Sequence, residues 1–542
     1  MNPEAARIRG LPRRLVAPER YQSGEVDLTD ALKTPQGTQR LRPIQSQALL
    51  EMWACRGLVG PIGVGLGKTL ILFLAPIMFG AKRPLMMIPS SCHNQVLRMY
   101  AEAKLHWKVP PLDIWTYGMF QRQGGEEELH RRNPDLLICD EAHYLKNPST
   151  GRAGRVIRYM LANPECYLVA VSGTLTTRSV KDYAHICTMA LREGSPLPLS
   201  HSLVGAWAQV LDPRTEPGVS DVQRFQKTFP TASGKKRQAR ALFQDHFRST
   251  PGVVASSDSG VKASLRIIRH LEIPWFSKEA YQLTWYEKQR PDGAYFEDVV
   301  SEWRALRQLS LGWYYMWEWD GEPDYEWAEA RNAWSRAVRY ELEYSSRKGY
   351  DTPLLVSQAL DRGQYTGSLA KAWYTWRDIK FRPGTKTVPV WLERDTLKAA
   401  LKLIPRQRGH IVWYLSDALV DALEREGVPV VRAGEDPPTD GGYCALSITS
   451  HGQGWNLQNY HTNLILEPPA NGQTWEQMIG RTLRSGQQRD TVKVHVLQHT
   501  DVYKKALSKA RSDAKYIEET HGLPQRLCYG DYIDKNDKKG DQ

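Results

Sequence analysis

The chain has 542 residues, of which 41% are hydrophobic and 24% are charged, and its formal net charge is +12. This length exceeds what one compact core supports, so two or three domains are expected, and the balanced composition excludes an intrinsically disordered chain. The longest apolar run falls short of the ~20 residues that a membrane-spanning helix needs, so we expect a soluble protein without a membrane partner.

The net charge indicates the chemical class of the partner, and the cysteines indicate the cellular compartment. An excess of Lys and Arg favours a polyanionic partner, because these side chains displace counterions from phosphates. The seven cysteines are scattered without zinc-like spacing. Scattered cysteines of this kind predict a reducing, cytoplasmic environment.

The first part of the chain predicts an α/β domain. Residues 1–39 are rich in Pro and Arg and are predicted to form an irregular arm. From residue 40 to about residue 250, apolar segments alternate with amphipathic ones, which predicts a parallel sheet covered by helices on both faces. Residues 232–263, rich in Ser, Gly and basic side chains, are predicted to be a linker.

A glycine-rich loop precedes the first long helical segment of this domain. Residues Gly63–Thr69 read Gly-Val-Gly-Leu-Gly-Lys-Thr, and such a loop lets backbone N–H groups close around phosphate oxygens. Lys68 would contact the β- and γ-phosphates, and the Thr69 hydroxyl would contact Mg²⁺. Ile62 stands where the strict pattern has its first Gly, so a plain glycine-rich turn is the alternative.

An acidic pair follows a buried strand. Asp140 and Glu141 come directly after the apolar run 135–139, where a carboxylate can reach a nucleotide-bound Mg²⁺ and a second one can activate water. Ser172–Thr174 follow another apolar run, 167–171, and are predicted to sense the nucleotide state. The alternatives are a surface loop with two acids and an ordinary turn.

The middle of the chain interrupts this alternation. It is rich in aromatic residues: Trp303, Trp313, Trp317, Trp319, Trp327 and Trp334, with Tyr314, Tyr315 and Tyr325 among them. Trp313 and Trp317 are four residues apart and are predicted to share a helix face. Exposed aromatics could stack on nucleic-acid bases, but the sequence favours a Trp-rich core of a helical insertion.

Strand and helix patterns resume from about residue 408. The apolar runs 410–414, 428–431, 444–448, 462–466 and 490–497 predict strands. Arg481 and Arg484 are three apart and would share a helix face, from which they could stabilise charge on a transferred phosphate. The alternative is a solvated basic face. Residues 531–542 are charged and are predicted to be a disordered tail.

These segments together resemble the superfamily-two helicases and translocases, with a DEAH box at Asp140–His143, and they are most similar to the SWI/SNF-like branch. The similarity lies in residues 41–47, 65–69, 88–91, 140–148, 447–458 and 477–487. The resemblance implies two RecA-like parallel-sheet lobes, at residues 40–250 and 408–530. Between them stands an insertion and linker at residues 251–407.

The resemblance also implies roles for individual residues and implies ATP and Mg²⁺ as cofactors. The expected catalytic residues are Lys68, Asp140, Glu141, Gln477, Arg481 and Arg484. The expected nucleotide-binding residues are Gln45, Gly63, Gly65, Leu66, Gly67, Lys68, Thr69 and Gly454. Among these, Gln45 would contact the adenine, and Thr69 with Asp140 would hold Mg²⁺.

We therefore expect an ATP-dependent DNA translocase or helicase that works in replication, recombination or repair, with duplex DNA favoured over a single strand. The alternatives are an RNA helicase and an ATP-gated nucleic-acid-binding or remodelling module that acts on a protein partner. A separately encoded nuclease or replication protein could be a partner. A monomer in the cytoplasm of a bacterial or phage-infected cell is expected.

Overall fold

The computed structural model describes residues 3–176, 178–256, 261–344, 350–382 and 385–536. We call residues 3–256 the N-terminal half and residues 261–536 the C-terminal half. The strands are β1 (Leu58–Pro61), β2 (Pro84–Ile88), β3 (Asp113–Thr116), β4 (Leu136–Asp140), β5 (Tyr167–Ser172), β6 (Ser264–Glu272), β7 (Trp313–Trp319), β8 (Thr385–Trp391), β9 (His410–Tyr414), β10 (Val430–Val431), β11 (Cys444–Ser447), β12 (Thr462–Ile465), β13 (Thr491–Leu497) and β14 (Asp531–Asn536).

The α-helices of the N-terminal half are α1 (Pro3–Arg9), α2 (Pro18–Gln22), α3 (Thr29–Leu32), α4 (Pro43–Cys55), α5 (Lys68–Phe79), α6 (His93–His106), α7 (Gly125–Arg132), α8 (Gly151–Ala162), α9 (Ala184–Leu191), α10 (His201–Leu211), α11 (Val219–Gln226) and α12 (Lys236–Ser249). Those of the C-terminal half are α13 (Lys278–Glu287), α14 (Val299–Leu309), α15 (Tyr325–Tyr344), α16 (Pro353–Asp361), α17 (Ser368–Ile379), α18 (Asp395–Leu401), α19 (Val420–Arg425), α20 (Ile448–His451), α21 (Gly472–Thr482), α22 (Asp501–His521) and α23 (Arg526–Tyr529). Within the described residues, none of these helices is both long and apolar enough to cross a membrane.

The first sheet is built from the continuous apolar runs of the N-terminal half. Its strands are all parallel, in the order β1-β5-β4-β2-β3. In β4, Leu137 and Cys139 face one core and Leu136 and Ile138 face the other. Because both faces are buried under helices, the strand reads as an unbroken apolar run and not as an alternating one.

The second sheet is also parallel and has the order β10-β11-β9-β12-β13-β6-β14. Apolar cores cover both of its faces. The predicted α/β class with two parallel sheets is therefore confirmed.

Two predictions about the second sheet are wrong. The sequence predicts that residues 264–272 belong to the insertion and linker, but they form β6, which pairs with β13 along seven residues. It predicts that residues 531–536 belong to a disordered tail, but they form β14, because pairing with β6 supplies backbone hydrogen bonds that a polar sequence does not reveal. Residues 537–542 of that predicted tail lie outside the described residues.

The aromatic-rich insertion combines helices with an antiparallel pair of strands, β7 and β8. Trp313 and Trp317 lie in β7, so the prediction that they share a helix face is wrong; a strand also places residues four apart on one side. Trp327 and Trp334 are buried and pack against Trp373 and Trp376. The interpretation as a core is confirmed for Trp313, Trp327 and Trp334, whereas Trp303, Trp317 and Trp319 are half-buried and Tyr325 is exposed.

The N-terminal arm is more ordered than its composition predicts. Residues 3–32 form α1, α2 and α3. Arg7 donates to the carbonyls of Glu193, Ser195 and Leu197 at 2.6, 2.8 and 2.8 Å, and Arg14 forms a 2.8 Å ion pair with Glu51 of α4. Charged side chains thus anchor the arm to the first sheet's helices. The predicted linker at residues 232–263 likewise contains α12.

Candidate active site

Three neighbouring strands of the first sheet end at the same edge and deliver the predicted site residues there. The glycine-rich loop follows β1, Ser172 ends β5, and Asp140 ends β4. These strands are adjacent in the order β1-β5-β4. The carboxyl ends of parallel strands form the usual ligand crevice of such sheets.

The glycine-rich loop turns directly into α5. Gly65 and Gly67 have φ values of +90° and +77°, a backbone region that side chains with a Cβ rarely adopt. A Cβ on Gly67 would also collide with the Gln45 amide. Since α5 begins at Lys68, its free N–H groups face the loop, as in sites that bind phosphate.

Three side chains from elsewhere in the chain fix the loop. The Gln45 Nε2 donates to the Gly67 carbonyl at 3.0 Å, and the Arg42 guanidinium donates to the Gly65 carbonyl at 2.8 Å. The Ser256 hydroxyl accepts the Gly63 N–H at 2.9 Å. Sequence reasoning gave no loop-supporting role to Arg42 or Ser256, because neither contact has a local signature.

Glu141 lies at the centre of a polar network. Lys68 Nζ is 3.4 Å from its Oε1, and the Ser172 hydroxyl donates to its Oε2 at 2.9 Å. His143 Nδ1 lies 3.2 Å from the same Oε2 and 3.0 Å from the Ser172 oxygen. The Glu141 backbone has φ +54°, a strained conformation of the kind that collects at functional sites.

The two carboxyl groups of the acidic pair have opposite pKa shifts. Burial, reinforced by the nearby Glu141 charge, raises the pKa of Asp140 above its usual range. Burial acts in the same direction on Glu141, but the charge of Lys68 and the contacts with His143 and Ser172 outweigh it and hold the Glu141 pKa well below its usual range. Such a separation of two adjacent acids is typical of catalytic pairs.

Helix α21 of the C-terminal half, which carries Arg481 in its last turn and which we call the arginine helix, reaches this edge of the first sheet. A Cβ on Gly480 of α21 would lie 3.0 Å from Val64 in the glycine-rich loop. Arg481 is 9% exposed, and its Nε donates to the Gly452 and Gln477 carbonyls at 3.2 Å. Burial lowers the Arg481 pKa, against the attraction of the acidic pair. Helix α21 thus places Arg481 near the glycine-rich loop, and its contribution to phosphate chemistry stays a prediction.

Arg484 also lies beside the loop, but α21 ends at Thr482 and Leu483 is not helical, so the prediction that Arg484 shares a helix face with Arg481 is wrong. Its Cβ is 3.7 Å from the position of a Cβ on Gly65, and its guanidinium donates to the Trp455 carbonyl at 3.4 Å. Burial, together with the positive charge of Arg481, lowers the pKa of Arg484 to about 10. In the described part of the chain neither Arg481 nor Arg484 forms an ion pair with an acid, so both guanidinium groups are available to an anionic ligand.

Two further predicted residues, Gln477 and Gly454, belong to the C-terminal half. The Gln477 carbonyl oxygen of the side chain accepts from Gln453 Nε2 at 2.8 Å. The nearest neighbours of a Cβ on Gly454 would be Gln95 and Cys92, at 2.6 and 3.3 Å. Gly454 thus lies against the start of α6, which places it at the contact between halves.

A comparison with protein-family models gave no match, and a comparison with curated proteins gave none either. The function must therefore be inferred from the site's own residues.

A cavity of 1090 Å³ opens behind the loop. Leu66 of the loop, Arg42 and Gln47 of the α4 region, and Ser256 line its inner side. The N-terminal arm, from Ile8 to Gln22, forms much of its outer wall. The cavity's volume is that of a ligand pocket, and Leu66 is the one loop residue in its lining, so the cavity adjoins the loop without including Lys68 or Thr69.

The donor set also suits a magnesium ion. The Thr69 hydroxyl follows Lys68 in the first turn of α5, and the Asp140 carboxyl is 8% exposed at the end of β4. Hydroxyl and carboxylate oxygens are the ligands that Mg²⁺ prefers, and nucleotide phosphates and waters usually complete its shell. A bound cation would also favour the charged form of Asp140, which burial otherwise disfavours.

Proposed function

We propose that this protein is an ATP-dependent DNA translocase or helicase with two RecA-like lobes, one around each parallel sheet. The observation that carries the proposal is the approach of Arg481 and Arg484 of one half to the glycine-rich loop and acidic pair of the other. Such a composite site makes hydrolysis depend on how the two halves are arranged.

In this proposal the chain's own residues divide the work of hydrolysis. The loop and Lys68 bind the phosphates, and Glu141 accepts a proton from the attacking water. Ser172 and His143 orient Glu141 through the contacts to its Oε2. Thr69 and Asp140 would hold Mg²⁺, which when bound neutralises phosphate charge.

Arg481 and Arg484 stabilise the negative charge that develops on the transferred phosphate. A guanidinium that is desolvated and fixed by backbone carbonyls stabilises that charge more strongly than one in water. Because Arg481 lies in the last turn of α21 and Arg484 follows two residues after that helix ends at Thr482, a change in the separation of the halves would withdraw both arginines. Hydrolysis and movement would then be coupled through α21 and the turn that follows it.

DNA is the proposed track, and an ATP-driven cycle of affinity for it would produce stepping. The net charge of +12 supports a polyanionic partner. The resemblance to the SWI/SNF-like branch supports duplex DNA, and it also supports roles in replication, recombination or repair.

The deciding experiment measures ATP hydrolysis without nucleic acid and with duplex DNA, single-stranded DNA or RNA. The proposal expects stimulation by DNA that Lys68→Ala abolishes and that the exposed-site control Lys82→Ala retains. Glu141→Gln should still bind ATP but hydrolyse it at least about 100-fold more slowly, because the proton acceptor is lost.

Other outcomes would point to other functions. Stimulation by RNA alone would indicate an RNA helicase. Nucleotide-dependent binding of nucleic acid without hydrolysis would indicate an ATP-gated binding module. Normal turnover by Glu141→Gln would contradict the assigned base.

A further inference from the structure

A second cavity, of 670 Å³, lies between the insertion and the second sheet. Its walls are α14, the start of α22, and the segments that follow β9 and β12. We call it the α14 groove and define it by Trp303, Arg304, Arg307, Tyr315, Lys505 and Lys509. None of these residues takes part in the proposed nucleotide site.

The floor of the α14 groove is apolar and aromatic. Trp303 is half-buried and packs edge-on against Trp285, with the ring centroids 5.8 Å apart. Val300, also in the lining, is 66% exposed. A flat aromatic face beside exposed aliphatic surface is suited to a planar group that stacks.

The rim of the groove is cationic. Arg304 and Lys505 are exposed and form no ion pair within the described part of the chain. Lys505 Nζ lies 4.8 Å from the centre of the Trp303 ring. Lys509 Nζ donates to the Ala470 carbonyl at 2.8 Å, so its charge meets a neutral partner.

The one acid in the groove's lining, Glu467, does not balance its four cations, Arg304, Arg307, Lys505 and Lys509. Glu467 is 1% exposed, and its oxygens accept the Leu415 N–H at 3.0 Å and the Ser416 N–H and hydroxyl at 2.8 Å. Its hydrogen-bonding capacity is thus largely used inside the protein. The groove keeps an excess of positive charge above an apolar floor.

We propose that the α14 groove binds a single nucleic-acid strand, with an unstacked base against Trp303 and the flanking phosphates on Arg304 and Lys505. The apolar floor is complementary to a base, and the cationic rim is complementary to phosphates. Proteins commonly bind single strands with an aromatic side chain inside a basic groove. A paired base in a duplex has no free face for such a floor, so the inference specifies one strand. It rests on the proposed function and adds to it a site for an unpaired strand, separate from the contact with duplex DNA.

The groove is also connected to the arginine helix. Arg307 and Lys509 contact the carbonyls of Pro468 and Ala470, which lie just before α21 begins at Gly472. A strand in the groove would therefore bear on the segment that precedes Arg481. This gives nucleic acid a short physical route to the hydrolytic site.

The test measures binding of fluorescent single-stranded and duplex oligodeoxynucleotides by anisotropy over a range of salt concentrations. The groove variant is Arg304→Glu with Lys505→Glu. The control variant, Lys402→Glu with Arg425→Glu, makes the same charge change at exposed positions outside the groove. Trp303→Ala tests the floor without changing charge, and the urea midpoint of each variant checks that it folds.

We expect the groove variant to lose at least about tenfold in single-strand affinity, with a shallower salt dependence, because two phosphate contacts are removed. Trp303→Ala should lose about tenfold, as removal of a stacking platform does. The control should retain most of the affinity.

Three results would overturn the inference: equal losses in groove and control variants, unchanged binding by Trp303→Ala and the groove variant, or binding of duplex alone. In the second case the apolar floor would be assigned to a protein partner. Hydrolysis measured on the same samples separates the two proposals. If DNA stimulates hydrolysis but the groove variant binds DNA as well as the control variant does, the groove proposal is rejected and the proposed function stands. If nucleic acid neither binds to the unmodified protein nor changes its hydrolysis, both proposals are rejected.

Discussion

Gln45 uses both atoms of its amide on the protein's own backbone. Its Oε1 accepts the Arg42 N–H at 2.7 Å, and its Nε2 donates to the Gly67 carbonyl at 3.0 Å. The resemblance implies an adenine contact for this residue, but the geometry describes a side chain that holds the phosphate-binding loop. Support of the loop would affect every nucleotide alike.

Replacing Gln45 by Ala should therefore weaken ATP and GTP binding by the same factor, about tenfold, because the hydrogen bond to the Gly67 carbonyl of the loop and the one from the Arg42 N–H are both lost. Equilibrium titration with both nucleotides measures this. Gln123→Ala, at an exposed position of the same half, is the matched control and should change neither affinity. A loss confined to ATP would instead establish the adenine contact.

At the scale of single residues, the sequence was informative where function is encoded locally. The positions of Lys68, Asp140 and Glu141 at the sheet edge could be predicted because Lys68 ends a glycine-rich loop before a helix and the two acids directly follow an apolar run. Ser256 could not be, because its partner Gly63 is 193 residues away and a lone Ser has no pattern. The strained backbone of Glu141 is likewise visible only in three dimensions.

At the scale of elements, a buried ion pair fixes the arginine helix. Glu476 of α21 pairs with Arg526 of α23, and their side chains are 6% and 3% exposed. Arg526 also donates to the Leu483 carbonyl at 3.0 Å. The end of α21, and with it Arg481, is positioned by a residue near the end of the described chain.

Arg526→Ala should lower the free energy of unfolding by about 3–5 kcal/mol, because it leaves the Glu476 carboxylate buried without its partner. Urea denaturation measures the loss. Arg489→Ala, at an exposed position, should change stability by less than about 0.5 kcal/mol. A small loss in Arg526→Ala would mean that water reaches Glu476.

Strands were predictable where burial on both faces leaves an apolar run, as in β4 and β5. The sequence of β14, Asp-Tyr-Ile-Asp-Lys-Asn, has no such run, because an edge strand tolerates charge and in turn is protected by it. The membership of β6 in the second sheet depends on β13, more than 200 residues later, and no local pattern specifies that pairing. Within β7, spacing by four fits a strand as well as a helix.

At the scale of the whole molecule, α22 joins the halves by packing against α12. Arg240 and Glu519 form a 2.6 Å ion pair across this contact. His521 lies between Tyr183 and Phe247 of the N-terminal half, with ring centroids 5.0 Å from each. Burial lowers the pKa of His521 to about 3.

His521 should make stability depend on pH. Its pKa is lower in the folded protein than the ordinary value of 6.5, so the unfolded chain binds the extra proton and stability falls as the pH drops below about 6.5. Between pH 7.5 and 5.5 the unmodified protein should lose about 1.4 kcal/mol relative to His521→Gln. Urea midpoints at both pH values give this difference, in which other titrating groups cancel.

The matched control is His201→Gln, at an exposed position of α10. Its stability should follow that of the unmodified protein at both pH values. If His521→Gln also follows it, the imidazole takes up a proton in the folded state and the contact between halves is more hydrated than its burial indicates.

The existence of two parallel sheets could be predicted because each is made of repeated local patterns. Their mutual placement could not be, because the contacts that set it, such as Arg240 with Glu519, join residues 279 positions apart. In the sequence, the charged residues that form these contacts look the same as the many charged residues that remain exposed to solvent. The position of α21 over the loop is of the same kind.

The insertion leaves the second sheet at the end of β6 and returns to it at the start of β9. Because both ends of the insertion connect to strands of the same sheet, the insertion must move with that sheet as one body. If the halves open and close during a nucleotide cycle, the insertion rotates together with the second sheet. Its outer parts, which lie farther from the rotation axis, then move farther than Arg481 does. A strand held beside α14 would then be displaced by the rotation angle of the C-terminal half multiplied by its distance from the rotation axis. The length of the insertion would therefore set how far nucleic acid moves for each ATP hydrolysed.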